Sequence, residues 1–169
     1  MTETNETRET IRKVLRILER DCLTDPKQIA IMLGTDETDV AAIIAAAQAH
    51  GTIVRHKAVI NWERAGDPYV LALIEVKVTP QRETGFDAIA ERIYRFPEAR
   101  SVYLVSGTYD LAVQVHGRSM QDIASFVASK LAPLDGVQST VTHFMLRRYK
   151  EDGDILVSSE QAERLPITP

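Results

Sequence analysis

Residues 101–116, SVYLVSGTYDLAVQVH, decide the fold of this 169-residue chain. Two runs rich in β-branched and aromatic residues, 102–105 and 111–115, flank the polar stretch 106–110, which contains one glycine. Apolar runs on either side of a short polar connection are typical of a β-hairpin. We therefore expect two antiparallel strands joined at a polar tip.

The segments on both sides of the hairpin repeat a strand and helix order. Residues 69–78 alternate with one fully apolar face, and residues 137–149 form a last β-rich run. Two helical stripes lie between the strands: Phe86, Ile89, Ala90, Ile93 and Phe96 in the first, and Met120, Ile123, Ala124, Val127 and Leu131 in the second. The order βαββαβ predicts a ferredoxin-like sheet, with strands one and three central and both helices on one face.

The face of this sheet that the helices leave open is also apolar. It carries Leu71 and Leu73, then Tyr103 with Val105 or their neighbours, and Phe144 with Leu146 or their neighbours. An apolar surface of this size favours burial against the same face of a second copy. The sequence therefore predicts a homodimer and leaves open a tetramer or octamer; cover by loops or by the tail is the alternative.

The N-terminal third predicts three helices. An apolar stripe of Ile11, Val14, Leu15 and Leu18 indicates a first helix that ends near Arg20. Asp25 and Pro26 are the N-cap and first-turn types that begin a second helix, and Gly34 ends it. A third helix follows and stops at Gly51. Two short helices joined by a short turn predict a helix-turn-helix, and the β-rich residues 52–60 predict its wing or an exit strand.

The outward face of the third helix is poor in groups that bind DNA. Residues 34–53 contain no Lys or Arg, and Asp36, Glu37 and Asp39 at the helix start suit the helix dipole but repel phosphate. Basic residues lie before and after the helix in the sequence. The candidate DNA-binding residues are Arg12, Lys13, Thr38, Asp39, Ala42, Gln48, Arg55 and Lys57. A degenerate helix-turn-helix that serves dimerisation or packing is the alternative.

Composition excludes several classes of protein. The chain is 44% hydrophobic and 26% charged, as in ordinary globular proteins, and its net charge of -4 argues against binding nucleic acid through bulk charge. Cys22 is the only cysteine, which rules out a disulfide framework and fits a reducing cytoplasm. The polar N-terminus and the shortness of every apolar run predict a cytoplasmic protein without a membrane segment.

The sequence shows no pattern of a metal, cofactor or catalytic site. The four histidines have no paired spacing such as His-x-x-x-His, and the eight glycines form no phosphate-binding loop. Ser106 lacks the Gly-x-Ser-x-Gly context of a nucleophile. We therefore expect no metal site, no cofactor and no catalytic site.

Turn residues at 61–68, NWERAGDP, indicate a linker. The predicted organisation is α+β: a winged helix-turn-helix at 1–60, the linker at 61–68, a ferredoxin-like domain for effector binding and oligomerisation at 69–150, and a tail at 151–169. The tail has a turn at residues 152–153, and we expect it to add an edge strand or an arm to a neighbour.

Between Ile11 and Lys150 the chain resembles the Lrp/AsnC (feast/famine, leucine-responsive) family of transcription regulators. The likeness rests on the order of elements, the Gly-x-Tyr-Asp turn at residues 107–110, and the strand TVTHF at residues 140–144. It implies a DNA-binding regulator that responds to a small effector, an amino acid, at a subunit interface. It nominates as effector-binding residues Gly107, Thr108, Tyr109, Asp110, Thr140 and Thr142.

Two other functions stay open at this stage. One is an effector-binding and oligomerisation module whose helix-turn-helix binds DNA weakly or not at all. The other is an enzyme, because some proteins of this architecture resemble sirohaem decarboxylases, which use His and Arg in the cleft. In this chain that chemistry would fall to His116, His143, Arg147 and Arg148.

Overall fold

The computed structural model describes residues 5–79 and 85–157. The chain divides into two compact units, Met1–Ala58 and Val59–Pro169. Within the described residues, no helix has both the length and the apolar composition that crossing a membrane requires.

The first unit is a helix-turn-helix preceded by a longer helix. Its elements are α1 (Asn5–Arg20), α2 (Pro26–Leu33) and α3 (Glu37–Ala49). The side chain of Asp25 accepts a hydrogen bond from the Gln28 N–H at 2.8 Å, and Gly34 ends α2 with a φ of 65°. Val14, Ile29 and Val40, one from each helix, are fully buried against one another in a small core. The predicted helix-turn-helix is confirmed.

The predicted strand at residues 52–60 does not form. Only Ile53 of this stretch packs against the helical core, and the side chain of Val54 is 86% exposed. The described part of the first unit contains helices but no strand. Residues 52–60 pair with no described strand; the Ile53 N–H donates to the Ala47 carbonyl at 3.0 Å, and the Lys57 carbonyl accepts from Cys22 Sγ at 3.9 Å. β-rich composition alone therefore does not produce a wing.

The second unit is a four-stranded antiparallel sheet with two helices on one face. Its elements are β1 (Val70–Val78), α4 (Asp87–Tyr94), β2 (Ala99–Leu104), β3 (Leu111–Gly117), α5 (Met120–Phe126) and β4 (Val137–Met145). The strand order β2-β3-β1-β4 places β1 and β3 in the centre. Ile74 and Val113 from the sheet pack with Ile93 and Ile123 from the helices in one buried core. The predicted ferredoxin-like fold is confirmed.

Two residues of the second helical stripe were assigned to the wrong face. Met120 is 53% exposed and Ala124 is also exposed, whereas Phe126 is buried and meets the ring of Phe96 edge-on at 5.5 Å. After Phe126 the helix widens into a π-helical turn, Val127–Leu131, in which the Ala132 N–H donates to the Val127 carbonyl at 2.8 Å. The inward face of this helix is set by Ile123, Phe126 and Leu131, so Met120 and Ala124, which both precede the π-helical turn, lie outside that face.

The last strand is shorter than predicted. It leaves the sheet after Met145, which is opposite Leu71, because β1 begins at Val70 and offers no partner further on. A small hairpin follows, formed by β5 (Lys150–Glu151) and β6 (Asp154–Ile155). Its turn residues Asp152 and Gly153 both have positive φ, 48° and 97°, as a type I′ turn requires.

The described part of the tail folds back on its own unit. The Leu156 carbonyl accepts a hydrogen bond from the Asn61 side chain at 2.9 Å, and the Leu156 N–H donates to the Tyr149 carbonyl at 3.0 Å. These bonds hold the described part of the tail against its own unit. The edge strand or arm to a neighbour stays a prediction. Residues 158–169 lie outside the described part of the chain.

Candidate functional site

The candidate DNA-reading face of α3 is exposed and almost free of charge beyond its first turn. Thr38, Asp39, Ala42 and Gln48 are all exposed. Asp36 takes the N-cap position without a side-chain hydrogen bond to the helix. The face therefore offers a base the hydroxyl of Thr38 and the amide of Gln48, and it offers a phosphate no cation.

The candidate cations lie on the segments that flank the two short helices. Arg12 and Lys13 are exposed on α1, and Arg55 and Lys57 are exposed after α3. The structure links the second group to α3, since Gln48 Nε2 and His56 Nε2 lie 3.3 Å apart. His56 is therefore a further candidate at this face, and its place in the basic run at residues 55–57 is the sequence feature that indicates it.

The hairpin tip is fixed to the end of β1. The Val105 N–H donates to the Asp110 carbonyl at 2.9 Å, and the Asp110 N–H donates to the Val76 carbonyl at 3.1 Å. One carboxylate oxygen of Asp110, Oδ2, accepts from the Val78 N–H at 2.9 Å. Asp110 therefore has a structural contact of its own, while Gly107 and Thr108 are exposed at the tip.

Thr140 and Thr142 lie at the same end of the sheet as the tip, on the helix-covered side. In β4 they are opposite Val76 and Ile74, which are both fully buried. Leu111 pairs with Val76 from the other side. Two strand spacings, roughly 10 Å, therefore separate Thr140 from the strand that begins at the tip.

The open face of the sheet combines exposed apolar side chains with a close contact between a histidine and a glutamate. Tyr103, Val141 and Met145 are 58%, 50% and 38% exposed. His143 Nε2 lies 3.1 Å from Glu75 Oε1 on the same face. Phe144 belongs to the other side, because it pairs with Ala72 and packs into the helix-covered core.

The side chains considered for the enzymatic alternative do not converge. Arg148 donates to the Tyr69 hydroxyl at 2.7 Å and to Glu151 at 2.9 Å. The ring of His116 meets Tyr69 edge-on at 5.8 Å, and the guanidinium of Arg147 lies over the ring of Tyr149. His143 pairs with Glu75 instead. His116 and Arg148 thus meet around Tyr69, whereas His143 and Arg147 lie against other residues.

A cavity of about 560 Å³ lies at the other end of the sheet from the tip. Its lining includes Trp62, Tyr69, Glu98, Arg100, His116 and Phe126. Since β3 runs from the tip to this end, about six residues or roughly 20 Å of strand separate the two places. Of these residues only His116 was named from the sequence, because the lining combines residues 62–69, two strand ends and a helix.

Two buried polar atoms of the cavity lining make no hydrogen bond within the described chain: Oε2 of Glu98 and Nδ1 of His116. A hydrogen bond from Lys130 to Glu98 Oε1, at 2.5 Å, lowers the pKa of the Glu98 carboxyl. Burial, and then the nearby charge of Arg100, lower the pKa of His116. Near pH 7 the cavity therefore presents an ionised carboxylate beside a neutral imidazole.

Known proteins resemble this chain over most of its length. The family model described as the Lrp/AsnC ligand binding domain matches residues 71–155. A Bacillus subtilis protein, named as the uncharacterized HTH-type transcriptional regulator YugG, is 44% identical over 158 residues, which are 93% of this chain and 95% of that protein. The likeness therefore includes both units.

Two solved structures share the fold at lower identity. Escherichia coli AsnC has a TM-score of 0.66 and 17% identity over 85% of this chain and 94% of its own. The transcriptional regulator NMB0573 of Neisseria meningitidis was solved as a complex with L-Met. It has a TM-score of 0.67 and 20% identity over 85% of this chain and 92% of its own. By the family match and the Bacillus relative, the chain belongs to the Lrp/AsnC family of HTH-type transcriptional regulators.

Proposed function

We propose that this regulator binds DNA as a dimer through α2 and α3, and that an amino acid bound at the hairpin tip changes its affinity for DNA. The observation that carries the proposal is the helix pair α2 and α3, which presents an exposed face of α3 in a chain whose second unit matches the ligand-binding family model. Coupling between the two sites would be a free-energy linkage, in which each ligand changes the affinity of the other.

DNA affinity in this proposal comes from the flanking cations rather than from α3. Arg12, Lys13, Arg55 and Lys57 are exposed and would contact phosphates, while the exposed Thr38 and Gln48 would contact base edges. Four phosphate contacts per subunit make a modest site, and a dimer doubles them. Binding should therefore weaken steeply as salt rises.

A mobility-shift assay with the full chain and its own upstream DNA, at low and moderate salt, tests the DNA-binding part. Arg55→Ala should weaken binding and reduce the slope of log affinity against log salt by about 1, as the loss of one phosphate contact predicts. The control is Arg92→Ala, which removes one exposed cation from α4 in the second unit. Absence of a shift at every salt concentration would instead support the effector-binding module that does not read DNA.

The amino-acid effector is supported by the chemistry of the tip. Exposed backbone amides around Gly107 and Thr108 can bind a carboxylate, and the hydroxyls of Thr140 and Thr142 lie at the same end of the sheet. The NMB0573 structure, which shares the fold, was solved with L-Met.

A thermal-shift panel of the twenty amino acids tests this part, because a ligand that prefers the folded chain raises its melting temperature. Each amino acid that does so is then added to the mobility-shift assay. Thr108→Ala and Thr142→Ala should reduce the response, and Ser125→Ala on α5 is a control outside the site. A panel without any stabilising amino acid would exclude this class of effector.

A further inference from the structure

The cavity at the far end of the sheet has the features of a second ligand site. Glu98 Oε2 and His116 Nδ1 are both buried and both without a hydrogen-bond partner among the described residues. An unsatisfied buried polar atom costs free energy, and an ionised one costs more. Lys130 occupies only one oxygen of Glu98, so the second oxygen remains available to a ligand.

The remaining walls supply an apolar surface and charged side chains of both signs: Arg100 and Arg118, with Asp67 and Asp122. Trp62, Tyr69 and Phe126 line the cavity with aromatic side chains, and Val115 and Ile123 add aliphatic surface. Arg100 is exposed at the same cavity, 5.9 Å from the centre of the Tyr69 ring. Among the described residues no carboxylate within ion-pair distance of Arg100 is found.

We propose that this cavity binds an aromatic α-amino acid. Its ammonium would donate to Glu98 Oε2 and His116 Nδ1, its carboxylate would pair with Arg100, and its ring would lie among the aromatic walls. A volume of about 560 Å³ holds such a molecule. The site is separate from the hairpin tip, roughly 20 Å of strand away, and does not depend on the proposed effector role of the tip.

Trp62 makes the test direct, because it is the only tryptophan of the chain and lines the cavity. The full chain is titrated with three probes that share a phenyl ring: L-phenylalanine, 2-phenylethylamine and 3-phenylpropionate. Trp62 emission is excited where none of the probes absorbs. We expect L-phenylalanine to bind best, the amine without its carboxylate to bind weaker, and the acid without its ammonium to bind weakest.

Two variants test which side chain binds the ammonium of the ligand and which binds its carboxylate. Glu98→Gln should weaken L-phenylalanine binding about tenfold or more, because it removes a charge-assisted hydrogen bond. Arg100→Met, at an exposed position where the fold tolerates change, should weaken L-phenylalanine but leave 2-phenylethylamine unchanged, since that probe lacks the carboxylate. Arg95→Met on α4 is the matched control and should change neither. A melting curve of each variant verifies its folding.

Three results would overturn the proposal. One is a Trp62 emission that stays constant up to about 10 mM L-phenylalanine, where even weak sites fill. Another is 3-phenylpropionate binding as tightly as L-phenylalanine. The last is loss of the Trp62 response in Thr108→Ala, which would place the ligand at the tip. If L-phenylalanine changes the Trp62 emission but no amino acid changes the mobility shift of the DNA, the effector site at the tip alone is rejected.

Discussion

Asp110 illustrates how one side chain at the tip serves the fold. Its Oδ2 accepts from the Val78 N–H at 2.9 Å, next to the register shift between Lys77 and Val78 that interrupts the pairing of β1 with β4. We expect Asp110→Ala to lower the free energy of unfolding by about 1–3 kcal/mol, because the amide loses its partner. Urea unfolding followed by Trp62 emission measures this.

Asp110→Asn is the matched comparison for that prediction. The asparagine keeps an acceptor oxygen for Val78 and should lose less stability than Asp110→Ala. Since Asp110→Asn removes only the charge, it also shows whether the tip needs a carboxylate to bind an effector. Equal stability of Asp110→Ala and the natural chain would show that the hydrogen bond contributes nothing.

Glu98 and His116 should make the second unit sensitive to acid. Both pKa values are lowered in the folded chain, so the unfolded chain takes up protons first and stability falls with pH. The loss begins below the ordinary pKa of 6.5 for His116 and below 4.5 for Glu98. In His116→Gln the urea midpoint should change less between pH 7 and pH 5 than in the natural chain. The same pH dependence in both proteins would show that His116 does not cause the loss of stability. Glu98 and Arg100 are the charged groups that act on His116.

At the scale of elements, the turn before β4 fixes the distance to α4. Gly136 has a φ of 92°, and a Cβ there would lie 2.6 Å from Ile89 Cδ1 and 3.4 Å from the Thr79 carbonyl. Gly136→Ala therefore combines backbone strain with a clash against a buried side chain, and we expect a loss of about 2–4 kcal/mol in unfolding free energy.

Gly66→Ala is the control for this prediction. Gly66 has a similar φ of 77°, but nothing lies within 4 Å of its Cβ position. Its substitution should cost only the strain of a left-handed backbone, about 1 kcal/mol. Equal melting temperatures for the two variants would show that Ile89 moves aside without cost.

Local sequence signals predicted those elements whose geometry is local. The Asp25 cap, the one-sided alternation of β1 and the polar tip each depend on residues a few positions apart, and each is present in the structure. The misplaced features depend on distant partners. Residues 146–149 have strand composition but no strand beside them, and the inward face of α5 is set by Ile123 and Phe126, which pack in the core with residues of the sheet and α4, rather than by Met120 and Ala124.

The sites were less predictable than the fold for the same reason. The tip residues are contiguous, and a family likeness pointed to them. The cavity combines Trp62 of the linker, Glu98 before β2 and His116 at the end of β3, and only the sheet order brings these together. No spacing along the chain distinguishes such residues from ordinary strand ends, so the structure was needed to find them.

At the scale of the whole molecule, the charge balance makes assembly central to DNA binding. The chain carries 20 basic and 24 acidic residues, and α3 contributes no basic residue to the helix-turn-helix. A single subunit thus has few phosphate contacts and repels DNA weakly overall. Two readers on one DNA raise the number of contacts without a change in sequence, so the function we propose requires a dimer.

The open face of the sheet is the surface we propose for that dimer, and Val141→Lys tests it. Val141 is 50% exposed and lies opposite Glu75, so a lysine there is tolerated or favoured in a lone subunit. Between two packed sheets the same lysine would be desolvated, at a cost of several kcal/mol. Light scattering at micromolar concentration should give twice the mass of one chain for the natural protein and a lower mass for Val141→Lys.

Ala124→Lys is the control for the added charge, because Ala124 is exposed on α5, on the other side of the sheet. It should leave the dimer intact and DNA binding unchanged, whereas Val141→Lys should weaken both in parallel. A natural chain that scatters as a single subunit, with DNA binding retained, would remove the open face from the mechanism. In that case the apolar residues of the face would need another partner, and the four cations of one reader would have to suffice.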